Sequence, residues 1–211
     1  MVFLPKKVLV LAPHTDDGEF GAGATLARWS EAGTELHYVA FSTCEQSVPE
    51  GLPKDILASE VKEATKVLGV KLANLHILDY EVRRFSSSRQ EILEDMVKLR
   101  KSIAPDMVLM PSFTDFHQDH FTIAQEGLRA FKHSTILCYE VPWNNVSFKT
   151  LCFSQVEEKH LSKKVTSLAQ YKSQSFRNYA SDNFIRSLAT VRGVQAGTPF
   201  AEAFDVLRLF I

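Results

Sequence analysis

An α/β fold with a mainly parallel sheet flanked by helices is predicted by three observations on this 211-residue chain. Short apolar runs of strand type alternate with longer amphipathic runs of helix type. Glycine or proline stands where helical runs end. The composition is 45% hydrophobic and 10% aromatic, and a chain of this length buries roughly 70% of its unfolded surface without disulfides or partners.

Val8–Ala12 is a continuous apolar run of the kind buried on both faces of a sheet. A helical pattern follows over Ala22–Ala32 and closes at Gly33, where a left-handed cap residue is wanted. Leu36–Ser42 reads as the second strand, Ile56–Leu68 with Gly69 as the second helix, and Leu75–Leu78 as the third strand. Ser86–Ser88 is a turn, Gln90–Ile103 a helix stopped before Pro105, and Met107–Pro111 the fourth strand. Thr122–Phe131 is helical and Ile136–Val141 a strand. Each helix has the length of a right-handed crossover between parallel strands. Beyond Val141, Pro142–Asn145 forms a loop, Phe148–Ser154 a strand, Glu157–Tyr171 and Asp182–Arg192 helices, and Ala203–Ile211 a final strand or edge. No repeat, linker or composition break divides the chain, so one domain over residues 1–211 is expected.

The balance of 24 Lys+Arg against 25 Asp+Glu leaves a net charge of -1, with no basic field for nucleic acid or an anionic membrane. No run approaches 18 apolar residues, and the opening residues lack a signal-type apolar core. Cys44, Cys138 and Cys152 are odd in number and make no CxxC pair, which fits a reducing, cytoplasmic setting.

The chemistry concentrates after two strands. The first ends in Pro13-His14-Thr15-Asp16-Asp17-Gly18-Glu19-Phe20-Gly21-Ala22-Gly23, a post-strand loop of the type that holds ligands in open α/β sheets. Its glycines run GxxGxG rather than GxGxxG, and two carboxylates would repel a pyrophosphate. One aspartate would suffice as a helix N-cap; a histidine with two adjacent aspartates points to a divalent cation. A second cluster at the end of another strand is then required, and Asp115-Phe116-His117-Gln118-Asp119-His120 follows the fourth strand. The other histidines, His37, His76, His133 and His160, stand alone and read as strand or surface residues.

The segment Ala12–Leu26, His117-x-Asp-His120, Arg192-Gly193 and Ala201–Phe204 together resemble the zinc-dependent N-deacetylases of the LmbE/PIG-L family. The resemblance implies a Rossmann-like three-layer fold and removal of an N-acyl group, usually acetyl, from an amino sugar or its conjugate. By position, His14, Asp17 and His120 look like metal ligands for Zn²⁺, a set that also accepts iron, cobalt or manganese. Asp16 looks like the general base, and His117 resembles the histidine that stabilises the oxyanion, best as the protonated imidazole. Asp119, or else Asp115, is expected to orient that ring; an N-cap role for Asp119 is the alternative.

Thr15 and Gln118 replace common prolines of the family motifs, and Leu57 stands near the place of an arginine that contacts sugar in relatives. Arg83 or Arg84 is a candidate replacement, and Glu19, Trp143, Asn144 and Arg192 are further candidate substrate contacts. Cys44 is expected near the site without a nucleophilic role. A small N-acetylated sugar or sugar conjugate is the implied partner, and relatives' habits suggest a homo-oligomer. The alternatives are another small amide with the same site and a non-catalytic metal- or sugar-binding module.

Overall fold

The computed structural model describes residues 4–210; the first three residues and Ile211, the end of the last expected strand, lie outside them. Seven strands form one sheet: β1 (Lys7–Ala12), β2 (Glu35–Ala40), β3 (Leu75–Ile77), β4 (Met107–Pro111), β5 (Thr135–Tyr139), β6 (Cys152–Val156) and β7 (Phe200–Arg208). Six helices accompany it: α1 (Asp17–Glu31), α2 (Ile56–Val67), α3 (Arg89–Ile103), α4 (Gln118–Ala130), α5 (Glu158–Leu168) and α6 (Asp182–Ala196). The sheet order is β3-β2-β1-β4-β5-β7-β6, with β1 to β5 parallel and β7 antiparallel to both its neighbours. The chain winds outward from β1 in one direction and from β4 in the other. The crevice at the carboxyl ends of β1 and β4 is therefore a topological switch point, where such sheets hold ligands.

Side-chain alternation along the strands sorts the core into two layers. Val8, Val10, Leu36, Tyr38 and Leu109 face α1, α2 and α5, whereas Leu9, Leu11, Val39, Phe41 and Val108 face α3 and α4. Gly33 and Gly69 end their helices at φ +94° and +92°, as expected of left-handed caps.

Several boundaries differ from the sequence reading: β5 ends at Tyr139, α6 runs on to Ala196 and β7 starts at Phe200, and four further differences have a visible cause. Helix α1 begins at Asp17, not Ala22, because its glycines are part of the helix and let it lie against the sheet. A Cβ on Gly18 would sit 2.6 Å from Tyr38 Cε2, and one on Gly21 would overlap the Tyr139 ring. Helix α4 begins at Gln118, because the His117 ring caps it by accepting the Asp119 N–H at 3.2 Å. Strand β6 is shifted to Cys152–Val156 by its pairing with β7. Helix α5 stops at Leu168, and Tyr171 turns back to donate from its hydroxyl to Thr15 O at 2.7 Å.

Two buried carboxylates fasten the C-terminal part to α1 and α2. Glu202 on β7 accepts the Ala24 and Thr25 N–H groups of α1 at 3.2 and 2.7 Å and pairs with Lys164 of α5 at 2.7 Å. Glu60 on α2 accepts the Ser173 N–H at 3.0 Å and its hydroxyl at 2.6 Å, holding the segment after α5. The Glu202–Lys164 pair is costly to break singly, since one buried charge is then left alone.

The α1 contact yields a stability prediction. Gly21→Ala should destabilise the fold by about 1–3 kcal/mol through overpacking against Tyr139, read as a lower urea midpoint. An unchanged midpoint would show that the helix can move away from the sheet at no cost.

Candidate functional site

His14 leaves β1 and Asp17 opens α1, so the turn between them folds both side chains toward the crevice. The Asp17 carboxylate accepts the His14 N–H at 2.8 Å, which pins the turn. His120, in the first turn of α4, enters from the end of β4. The three side chains converge: Asp17 Oδ2 lies 3.1 Å from His14 Nδ1 and 3.2 Å from His120 Nε2, and the two ring nitrogens are 3.2 Å apart. Asp17 and His120 are 5% and 1% exposed.

Each histidine is held from behind by a carboxylate. His14 Nε2 is 3.2 Å from Asp119 Oδ2, and His120 Nδ1 is 2.7 Å from Asp115 Oδ2. With those ring protons donated outward, Nδ1 of His14, Nε2 of His120 and Oδ2 of Asp17 are three lone-pair atoms aimed at one point. Their mutual separations match the spacing of about 3.3 Å between tetrahedral ligands at Zn²⁺ distances. Burial opposes charge on His14 and His120, but Asp17 with Asp119 raises the first to about 9, and Asp17 with Asp115 raises the second to about 10. Burial likewise opposes the Asp17 carboxylate, yet His120 and His14 hold it well below its ordinary value. The donor set thus fits a divalent cation. The ring nitrogens of His14, His117 and His120 also lie within 4.8 Å of one another, a second grouping that could hold a metal.

Asp16 caps α1 by its backbone only; its side chain makes no cap bond. It lines the cavity, and burial together with Asp17 raises its pKa to about 6. The N-cap reading of this carboxylate is thereby set aside.

The expectations for Asp119 and His117 need correction. The Asp119 carboxylate neither caps the helix nor holds the His117 ring, which is the cap itself and meets only the Asp119 backbone N–H. It holds His14 and accepts the Arg83 N–H at 2.6 Å, while Asp115 takes His120 and the His117 N–H at 2.8 Å. Burial, with His14 and His120 nearby, lowers the His117 pKa to about 4, so the protonated imidazole is disfavoured. Since Nδ1 accepts from the Asp119 backbone, the neutral ring carries its proton on Nε2.

A cavity of about 360 Å³ opens over these groups, lined by Arg83, Trp143 and Asn144 together with Leu57 and Cys44. Burial pushes the Cys44 thiol far up, out of nucleophilic range. Glu19 is displaced from the expected set. It is 0% exposed and accepts hydrogen bonds from Tyr38 and, at 2.8 Å, from Tyr171 beneath the loop, and burial lifts its pKa to about 8. Arg192 also lies elsewhere, its guanidinium paired with Glu140. Gln174, in a segment (Lys172–Ser175) that resembles family positions near the substrate or subunit boundary, lines the cavity, as do Ser47, Arg177 and Tyr179, which escaped the sequence reading. The last two sit in short turns after α5, a segment without periodicity to place them. Tyr179 stacks on Trp143 with ring centroids 4.0 Å apart.

Known proteins resemble this chain in sequence and in fold. The "Uncharacterized deacetylase YaiS" of Escherichia coli K12 is 29% identical over 174 residues, covering 80% of this chain and 91% of that protein. Among solved structures, the N,N'-diacetylchitobiose deacetylase of Pyrococcus horikoshii, complexed with its inhibitor MPG, superposes with a TM-score of 0.80 at 23% identity, covering 96% of this chain and 84% of the other. The 4-carboxy-2-hydroxymuconate hydratase GalB of Pseudomonas putida KT2440 shares the fold at a TM-score of 0.79 and 17% identity, covering 98% of each chain. One fold therefore carries different named activities, and chemistry must be argued from the site. Residues 9–131, which hold both strand-end clusters, match the GlcNAc-PI de-N-acetylase (PIG-L) family, and the chain belongs to it.

Proposed function

We propose that this protein is a metal-dependent N-deacetylase that hydrolyses the acetyl amide of an N-acetylated amino sugar or its conjugate. The observation that carries the reading is Asp16, a carboxylate left free of any cap bond beside three converging donor atoms. His14, Asp17 and His120 are the proposed metal ligands, with Zn²⁺ first and iron, cobalt or manganese compatible with the same donors. A cation held there would polarise the amide carbonyl and make a water molecule more acidic.

The chain's own groups supply the rest. Asp16, with a pKa raised to about 6, is suited to take a proton from the attacking water and return it to the leaving amine. His117 presents Nε2–H toward the cavity, a donor for the carbonyl oxygen as it gains negative charge. Asp115 and Asp119 are positioning residues that fix the ring orientations of His120 and His14. Trp143 and Tyr179 form an aromatic wall suited to the apolar face of a sugar ring. A module that only binds would leave Asp16 and His117 without a task. The three thiols are unpaired, Cys44 and Cys138 being buried, which supports a cytoplasmic site of action, and no described helix is long and apolar enough to cross a membrane. Single-domain organisation over residues 1–211 and self-association belong to the same reading.

Two measurements test it. Metal titration followed by calorimetry should show affinity lost in Asp17→Asn, lowered about 10–100-fold in Asp115→Asn and retained in His117→Ala. Loss in His117→Ala with retention in Asp17→Asn would assign the metal to the three histidines instead. Acetate release from free, nucleotide-linked and lipid-linked N-acetylhexosamines should fall by about 10²–10⁴-fold in Asp16→Asn at unchanged metal content. Substantial turnover by that variant would reject Asp16 as the base.

A further inference from the structure

Two guanidinium groups line the catalytic cavity with no carboxylate partner among the described residues: Arg83 and Arg177. Their condition contrasts with Arg89, Arg129, Arg186 and Arg192, all of which pair with glutamates. Arg83 Nη2 donates to the Ser47 hydroxyl at 2.9 Å. Arg177 reaches Gln174 Oε1 through Nε at 3.5 Å, and its terminal nitrogens bond to nothing described.

Both are held in place. Arg83 has φ +67°, a left-handed conformation that a residue with a Cβ rarely adopts. Its N–H is bound by Asp119, and its carbonyl accepts from Gln118 Nε2 at 2.6 Å, so the chain's strain is locked by the same helix turn that carries His120. The Arg177 guanidinium lies 4.8 Å from the Phe176 ring and 5.9 Å from the Tyr179 ring.

Arg177 also borders a second groove of about 650 Å³, which shares Asp16, Phe20 and Gln174 with the catalytic cavity and continues past Lys172 and Leu168. A substituent leaving the catalytic cavity in that direction passes the free end of Arg177. A planar guanidinium with unused donors matches an oxyacid group, whereas a neutral hydroxyl asks for one donor and no charge. The carboxylates on the cavity wall do not serve this purpose: Asp17 is engaged by His14 and His120, and Asp16 is the proposed base.

We infer that the substrate is an N-acetylated amino sugar bearing an anionic oxyacid substituent, a phosphate or a carboxylate, and that Arg177, aided by Arg83, binds it. The inference rests on the deacetylase reading for the sugar and on the unpaired arginines for the charge.

The test compares three ligands on the metal-loaded full chain: N-acetylglucosamine 1-phosphate, the carboxymethyl glycoside of N-acetylglucosamine and its neutral methyl glycoside. The kcat/KM for at least one anionic ligand should exceed that for the methyl glycoside by ten-fold or more, mainly through KM. The two anionic arms tell phosphate from carboxylate. Arg177→Gln should bring the ratio toward one, and Arg177→Lys should restore part of it. Equal kcat/KM for all three ligands, or a ratio unmoved by Arg177→Gln, overturns the inference. If no ligand releases acetate, that result counts against the deacetylase reading and not against the charge, and calorimetry with the same ligands and variants decides the charge question. Tighter binding of an anionic ligand, lost in Arg177→Gln, then upholds the anion site, and equal or absent binding removes it.

Discussion

The close approach of α1 to the sheet is the constraint on which the site depends. Gly18 and Gly21 bring the first turns of the helix against Tyr38 and Tyr139, and any side chain there would hold them apart. Only with the helix so placed does Asp17, its first residue, reach both His14 at the end of β1 and His120 on α4. The positive end of the helix dipole also favours a carboxylate at that position. Beneath the turn, Tyr38 and Tyr171 both donate toward Thr15 O and Glu19, so the loop is backed by a buried polar cluster rather than by solvent.

The electrostatics follow from this crowding. Three donor atoms with no proton to share repel one another unless a positive charge stands between them, and Asp115 and Asp119 enlarge the demand for that charge while fixing the rings. Asp119 has a second duty, since the oxygen that faces His14 also binds the Arg83 N–H. His14, a proposed metal ligand, and the cavity-wall arginine thus share one carboxylate. Displacing either is felt by the other, a coupling of the kind that makes such groups act as a unit.

The sheet and both strand-end clusters were legible in the sequence because their signals are local. Val8–Ala12 and Met107–Pro111 are apolar runs, and the histidines and aspartates follow them directly. Glu19 misled because a charged residue in a ligand loop resembles a contact; the helix turns it under the loop, toward Tyr38 and Tyr171. Arg192 misled likewise, its partner Glu140 lying 52 residues away in sequence. Asp115 and Asp119 were seen as supports, but their assignment to His120 and His14 depends on how β1 and β4 lie side by side. Arg177 and Tyr179 had no local signal at all, because their position is set by the long-range clamp between Glu60 and Ser173.

That clamp gives the molecule a division of labour. The proposed metal donors, base and oxyanion histidine lie within residues 9–131, the stretch shared with the family, whereas Trp143, Gln174, Arg177 and Tyr179 lie beyond it. Residues 172–180 are held to α2 by the two Glu60–Ser173 hydrogen bonds and make no described hydrogen bond to the His14, Asp17 or His120 side chains. Substitutions in residues 172–180 can therefore accumulate without disturbing the reaction centre. A lineage built this way can change what it accepts while keeping how it reacts, and likeness in the first part of the chain speaks for the reaction far more than for its substrate.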